Sequence, residues 1–248
     1  NLATRPAARQ RAARTWPGAP AALGSPAVTD SSSGDAAARA ACAALARDHY
    51  ENFPVRSPLL PRRTREDLAA IYAFCRTTDD LGDEYAGDRL AALERWERDL
   101  LSALSGGRVE DPILSEVART ATRTGIETGH FLRLIEANRR DQTVKRYADE
   151  AALLDYCRHS ATPVGRMVLR ALGHGGRGLH VYADATCIGL QLANFWQDLA
   201  RDWDQGRCYL PLDACARHGV VPERDLTADA ASDALRSLVA EQVGRARG

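Results

Sequence analysis

From Asp35 to the C-terminus, apolar residues recur at helical spacing almost without interruption, and this constrains the fold more than any other feature of the chain. The periodicity places helices at roughly 36–50, 64–84, 88–105, 112–124, 126–140, 149–172, 178–203, 211–218 and 229–247. Breakers separate them: Pro54, Pro58 and Pro61, the pair Gly106-Gly107, the glycines between 173 and 178, and Pro222. Asp111-Pro112 reads as an N-cap followed by proline at the first helical position. Pro163 falls inside the sixth segment and predicts a kink or break there. No stretch alternates as a strand, and there is no dinucleotide-binding fingerprint, phosphate-binding glycine loop or internal repeat. Aromatic residues are only 6% while alanine is abundant, which favours closely packed helices. The expected fold class is all-α.

Residues 1–35 differ from the rest: arginine-rich, with no acid before Asp30, several prolines and the run Ser31-Ser32-Ser33-Gly34. Such a composition cannot bury a core, so 1–35 is expected to be a disordered N-terminal extension and 36–248 a single helical domain. No apolar run approaches the ~20 residues needed to cross a bilayer. Lys+Arg 33 balance Asp+Glu 33, and without a basic excess the chain is not expected to bind nucleic acid. The six cysteines form no C-x-x-C pair and are expected to be reduced and largely buried, in a reducing compartment.

Chemistry concentrates in two segments. The first runs from Ile71 to Glu84 and carries Asp79 and Asp83; the second runs from Gln191 to Asp202 and carries Asn194, Asp198 and Asp202. Spacing of four residues puts each set on one helix face, and Gln191 lies on the second. One such pair alone is an ordinary solvated acidic face. Two, each within apolar sequence, call for a counter-charge, because like charges one turn apart repel. An all-oxygen set without His or Cys suits a hard cation such as Mg2+, which completes its shell with water and phosphate oxygens. Arg76, one turn before Asp79, offers a fixed fork to the same phosphate. Asp80 and Glu84 stand beside this face, as support or as exposed acids.

These residues resemble the squalene and phytoene synthases. The resemblance is carried by Tyr72-Ala73-Phe74-Cys75-Arg76 leading into Asp79–Glu84, by Tyr156-Cys157 followed by Val164-Gly165, and by Gln191–Asp202 leading to Arg207-Cys208-Tyr209-Leu210-Pro211. Within that family, His49–Val55, Ser160–Arg166 and Asn194-Phe195-Trp196-Gln197-Asp198 are most similar to the bacterial hydroxysqualene synthases of the hopanoid pathway.

The resemblance implies an isoprenoid synthase bundle around a central cavity, with Asp79, Asp83, Asn194, Asp198 and Asp202 holding Mg2+. It implies that Arg76, His49 and Arg207 contact a diphosphate and that Gln191 and Tyr209 lie near the reacting carbons or leaving group. Phe53, Tyr72 and the apolar helix faces would line a tunnel for the isoprenoid tail; Tyr156 faces either that tunnel or the core. Gln197 stands where relatives have a diphosphate-binding arginine, and either alters the reaction step or is a neutral replacement.

The implied reaction is conversion of presqualene diphosphate to hydroxysqualene, with water capturing the carbocation and NADPH not expected. The alternatives are condensation of two prenyl diphosphates to presqualene diphosphate or phytoene, and an inactive truncated paralogue that binds a sister synthase. Relatives usually continue for one or two helices past the segment ending at Gly248, so the domain reads as short at its C-terminus. Sister synthases of the pathway are expected partners, and the expected location is cytoplasmic with peripheral membrane contact. Glu127-Thr128-Gly129-His130 has the E-x-x-H spacing of di-iron bundles but occurs once, so His130 is read as structural or exposed. Trp96 and Trp203 are read as packing or surface-capping residues.

Overall fold

The computed structural model describes residues 31–48 and 59–247. Its helices are α1 (Ser31–Asp48), α2 (Arg62–Asp83), α3 (Arg89–Leu104), α4 (Pro112–Thr124), α5 (Thr128–Thr143), α6 (Glu150–Ser160), α7 (Thr162–Ala171), α8 (His180–Gln197), α9 (Leu199–Asp204), α10 (Leu212–His218), α11 (Pro222–Asp225) and α12 (Asp233–Arg247). A 3-10 turn at Arg177–Leu179 leads into α8. Among the described residues the one extended pairing is an isolated parallel bridge between Arg146 and Cys208.

Most expected elements are present, with four differences. Helix α1 begins at Ser31, so the last five residues of the segment read as an extension are helical. Ala38, Cys42 and Ala46 recur every four residues and are buried, and Asp35 pairs with Arg119 of α4 at 2.6 Å. The span 149–172 is two helices, broken at Ala161 where Pro163 enters the first turn of α7. The span 178–203 bends at Asp198; no single contact accounts for the bend, and the ladder runs through it, Asp198 N–H to Asn194 O at 2.9 Å and Asp202 N–H to Asp198 O at 2.8 Å. The short α11 starts at Pro222, which was read only as a breaker. The N-cap at Asp111 forms as expected: one carboxylate oxygen accepts from the Ile113 and Leu114 N–H groups.

Helix α2 is central, packed by α1, α3, α4, α5 and α7. Its Phe74 is fully buried, stacked on Trp96 at 5.8 Å and edge-on to Phe131 at 4.9 Å. The Trp96 indole N–H donates to Thr78 Oγ1 at 2.9 Å, so this tryptophan packs without an unmet polar group. All six cysteines are free; Cys75 and Cys187 are half-buried and the other four buried.

A second core joins α6, α8, α10 and α12 through the aromatic residues Tyr147, Tyr156, Phe195, Trp196 and Tyr209. After α9 the chain turns at Gly206 and runs beside residues 145–147, with Cys208 N–H donating to Lys145 O at 3.0 Å and Leu212 N–H to Tyr147 O at 3.0 Å. That short parallel contact brings Arg207 and Tyr209 to the end of α5. Helix α8 is apolar, yet only Leu192, Phe195 and Trp196 are buried; Val181, Tyr182 and Leu190 are 70%, 71% and 62% exposed. Leu190 stands one turn before Asn194, on the same face.

Candidate active site

The first acidic segment lies at a helix C-terminus, where the aligned peptide dipoles already concentrate negative charge, and the second spans the junction of α8 and α9. Helix α2 ends with Asp79, Asp80 and Asp83, then Glu84 as the cap, and has no basic residue in its last turn. Helix α8 ends at Asp198, and Asp202 follows within α9. Four acids at one helix end and two around another are electrostatically unfavourable unless cations meet them.

Three cationic side chains partly do so. Arg207, only 12% exposed, donates to Asp83 at 2.5 Å and thereby joins the second segment to the first. Arg201 stands 3.6 Å from Asp198. Arg76 pairs with Asp80 and, at 2.9 Å, with Glu84. Both contacts are made by Nη2, and the buried Nε of Arg76 has no hydrogen-bond partner.

Asp79 opens onto solvent yet is ringed by protein, and that burial raises its carboxyl to about 7, with Asp83 adding repulsion. The Asn138 amide opposes the rise by donating to Asp79 Oδ1 at 3.1 Å. Asp202 is raised to about 6, first by burial, then by Asp198 and, more weakly, by Asp83. The repulsion between Asp83 and Asp202 shows that the two segments share one electrostatic neighbourhood. Cys75, one turn before Asp79, has its thiol pushed far above the usual range by burial and by Asp79.

Helix α5 adds a wall that the sequence reading did not include. Asn138, Asp141 and Gln142 follow i, i+3, i+4 and form a polar stripe, with Lys145 just beyond the end of the helix. That spacing was the available signal, but the expected helix stopped at 140. Asp141 is buried, accepts from the Tyr156 hydroxyl at 2.7 Å, and is raised to about 6 by burial. Lys145 reaches the Asp141 carbonyl.

Tyr209, expected near the reacting carbons or leaving group, and Tyr156, read as facing either the tunnel or the core, are each 5% exposed and belong to the aromatic core. Tyr209 stacks on Phe195 with centroids 3.8 Å apart and lies 5.8 Å from Tyr156. Burial of large planar side chains, together with the Asp141 hydrogen bond, explains their inward placement. Tyr72 and Gln191 are half-buried; Asn194 and Gln197 are exposed on α8. His130 is buried and Trp203 lies beneath Arg146 at 4.7 Å. His49 and Phe53 lie outside the described residues.

Among the described residues no three His, Cys, Asp or Glu side chains converge closely enough to enclose an ion by themselves. The donor set nevertheless fits Mg2+, which usually takes one or two carboxylates and completes its shell with water and phosphate oxygens. The carboxylates burdened by burial and by one another's charge are the observation behind that fit. Two surface recesses lie elsewhere: one beside Arg63, Arg119 and Arg123, the other beside Arg140, Arg146 and Tyr147. Arg119 and Arg123 of the first are already paired with Glu116 and Asp67, which makes it a weaker candidate than the acidic face.

Residues 46–248 match squalene/phytoene synthase. The chain belongs to the squalene/phytoene synthase family. Hydroxysqualene synthase of Zymomonas mobilis is 40% identical over 169 residues, covering 66% of this chain and 55% of that protein. Hydroxysqualene synthase of Rhodopseudomonas palustris is 38% identical, covering 75% of this chain and 63% of its own length. Chloroplastic phytoene synthase of Narcissus pseudonarcissus is 31% identical, covering 83% of this chain and 50% of that protein. This family member therefore spans half to two thirds of the length of these curated relatives. Among solved structures, squalene synthase HpnC from Alicyclobacillus acidocaldarius superposes with a TM-score of 0.80 at 42% identity, covering 86% of this chain and 80% of that one. A dehydrosqualene synthase in complex with ligand gives 0.79 at 26% identity, covering 88% and 76%. The single all-α domain is thus the fold of this family.

Proposed function

We propose that this family member converts presqualene diphosphate to hydroxysqualene in a Mg2+-dependent reaction: the carbon–oxygen bond breaks, diphosphate leaves, water adds to the carbocation and a proton is lost. One observation carries the reading: two acidic segments meet across Arg207, with the all-oxygen donors Asp79, Asp83, Asn194, Asp198 and Asp202 around them. Likeness to hydroxysqualene synthases at 38–40% identity supports the choice of reaction. Mg2+ bound by these residues would stabilise the negative charge of the departing diphosphate.

The chain's own groups have distinct tasks. Arg207, neutralised by Asp83 in the free protein, exchanges that carboxylate for a diphosphate oxygen. Gln191 and Gln197 orient the head group from α8, and Asn194 places a neutral donor among the acids. The apolar side chains of α8 from Tyr182 to Leu190 take the tail and keep water from the cation except at the head-group end.

Condensation of two prenyl diphosphates is the second reading, favoured by the 31% identity to a phytoene synthase across most of this chain. A product assay decides between them. The purified chain is given Mg2+ without NADPH, and presqualene diphosphate and farnesyl diphosphate are supplied separately. Hydroxysqualene from the first substrate supports the proposal. A cyclopropyl diphosphate from the second, with none of the first converted, replaces it with condensation.

A further inference from the structure

We infer that Asn138 is a positioning residue that fixes the Asp79 carboxylate for cation capture, an inference that rests on the reading of the acidic face given above. Asn138 is only 7% exposed, and its amide nitrogen donates to Asp79 Oδ1 at 3.1 Å and to the Leu134 carbonyl at 3.2 Å. The side chain therefore spans from its own helix to α2, with both bonds donated by the same amide nitrogen.

The approach is possible because residue 82 is glycine. A Cβ there would lie 2.3 Å from the Asn138 amide oxygen, closer than real Cβ contacts come, and 3.1 Å from its Cγ, so the Asn138 side chain would have to shift. Gly82 follows Asp79 by three residues, so the notch and the carboxylate share one face of α2. Gln142 closes the arrangement, its amide nitrogen donating to Gly82 O at 3.0 Å and to Asn138 O at 2.9 Å. Three side chains and one missing methyl group thus stitch α5 to α2 beside the first acid.

The chemistry of the clamp is specific. An amide N–H orients a carboxylate without cancelling its charge, whereas an arginine does both. Asp83, one turn away, has an arginine partner; the hydrogen bond to Asp79 among the described residues comes from the neutral Asn138, which leaves the carboxylate unpaired for an incoming ion. A cation with strict octahedral geometry and ligand distances of about 2.1 Å tolerates little rotation of such a ligand, so holding one oxygen sets the direction of the other.

Manganese(II), a spectroscopic stand-in for Mg2+, tests this by electron paramagnetic resonance on the full chain with inorganic diphosphate. Two variants disturb the clamp independently: Asn138→Ala removes the donor, and Gly82→Ala displaces it while leaving Asn138 in place. Asp79→Ala is the reference. Each clamp variant is expected to bind Mn2+ roughly tenfold more weakly and to broaden its signal, with helical circular dichroism and melting temperature near those of the parent. Parent-like binding in a folded clamp variant, with Asp79→Ala defective, overturns the inference and leaves the acidic-face reading intact. No Mn2+ binding by the parent, or parent-like binding by Asp79→Ala, overturns both. If one clamp variant fails to fold, the other decides.

Discussion

Arg207 Nη2 lies 2.5 Å from Asp83 Oδ1, a contact between residues 124 apart in sequence that joins the two acidic segments. Arg207 is nearly enclosed and Asp83 is half open, so the pair carries charge to the surface without being screened away. It also explains how a chain can bring Asp83 and Asp202 into one neighbourhood before any ligand arrives.

Arg207→Gln should therefore damage function more than folding. Turnover is expected to fall by about 10²–10³-fold, the range for losing one preorganised donor to a developing anion. The fold should lose only about 1–2 kcal/mol, the scale of a charge-assisted hydrogen bond at a partly open site. Steady-state rates and urea melts measure the two separately.

Asp79→Ala and Asp198→Ala should each abolish turnover while leaving helical circular dichroism unchanged. Full activity in either variant would remove the basis for assigning the cation to this face.

The raised carboxyls give the metal-free chain an unusual pH dependence. Asp79 sits at about 7, and Asp141 and Asp202 at about 6, whereas all three would titrate near 4 in the unfolded chain. Between about pH 4 and 7 the folded state holds protons that the unfolded state has released. The unfolded state binds fewer, so the contribution of these groups to stability falls as pH rises. In chelator, these groups are expected to raise the melting temperature at pH 5 relative to pH 8. Asp79→Asn should flatten the upper part of that slope, and added Mg2+ should recover stability at pH 8.

Tyr156→Phe should cost about 1–3 kcal/mol, because the buried Asp141 loses its 2.7 Å donor and the carboxylate is left less satisfied. Phe195→Ala should cost about 3–5 kcal/mol by opening a hole against Tyr209. Thermal melts at fixed pH measure both.

Much of this molecule was legible in its residues because helical periodicity and short acidic motifs are local signals. The helix starting at Asp111-Pro112 and the break at Pro163 follow from capping and ring chemistry alone. The polar stripe of α5 was missed because its last turn lies past 140, and part of the stripe does not read as a stripe. The inward turn of Tyr209 depends on the parallel contact between residues 145–147 and 206–209, a tertiary event with no local mark. The engagement of Arg76 by Asp80 and Glu84 was equally out of reach, since spacing shows which side chains can meet but not which partner wins.

Cys75 has a last consequence. Its thiol stands one turn from Asp79, and a thiolate there would favour zinc or copper(I) over any hard ion. Burial and the neighbouring carboxylate keep that sulfur protonated, and a protonated thiol is a poor ligand. The same negative charge that would attract a cation thus holds the nearest soft donor in its protonated form.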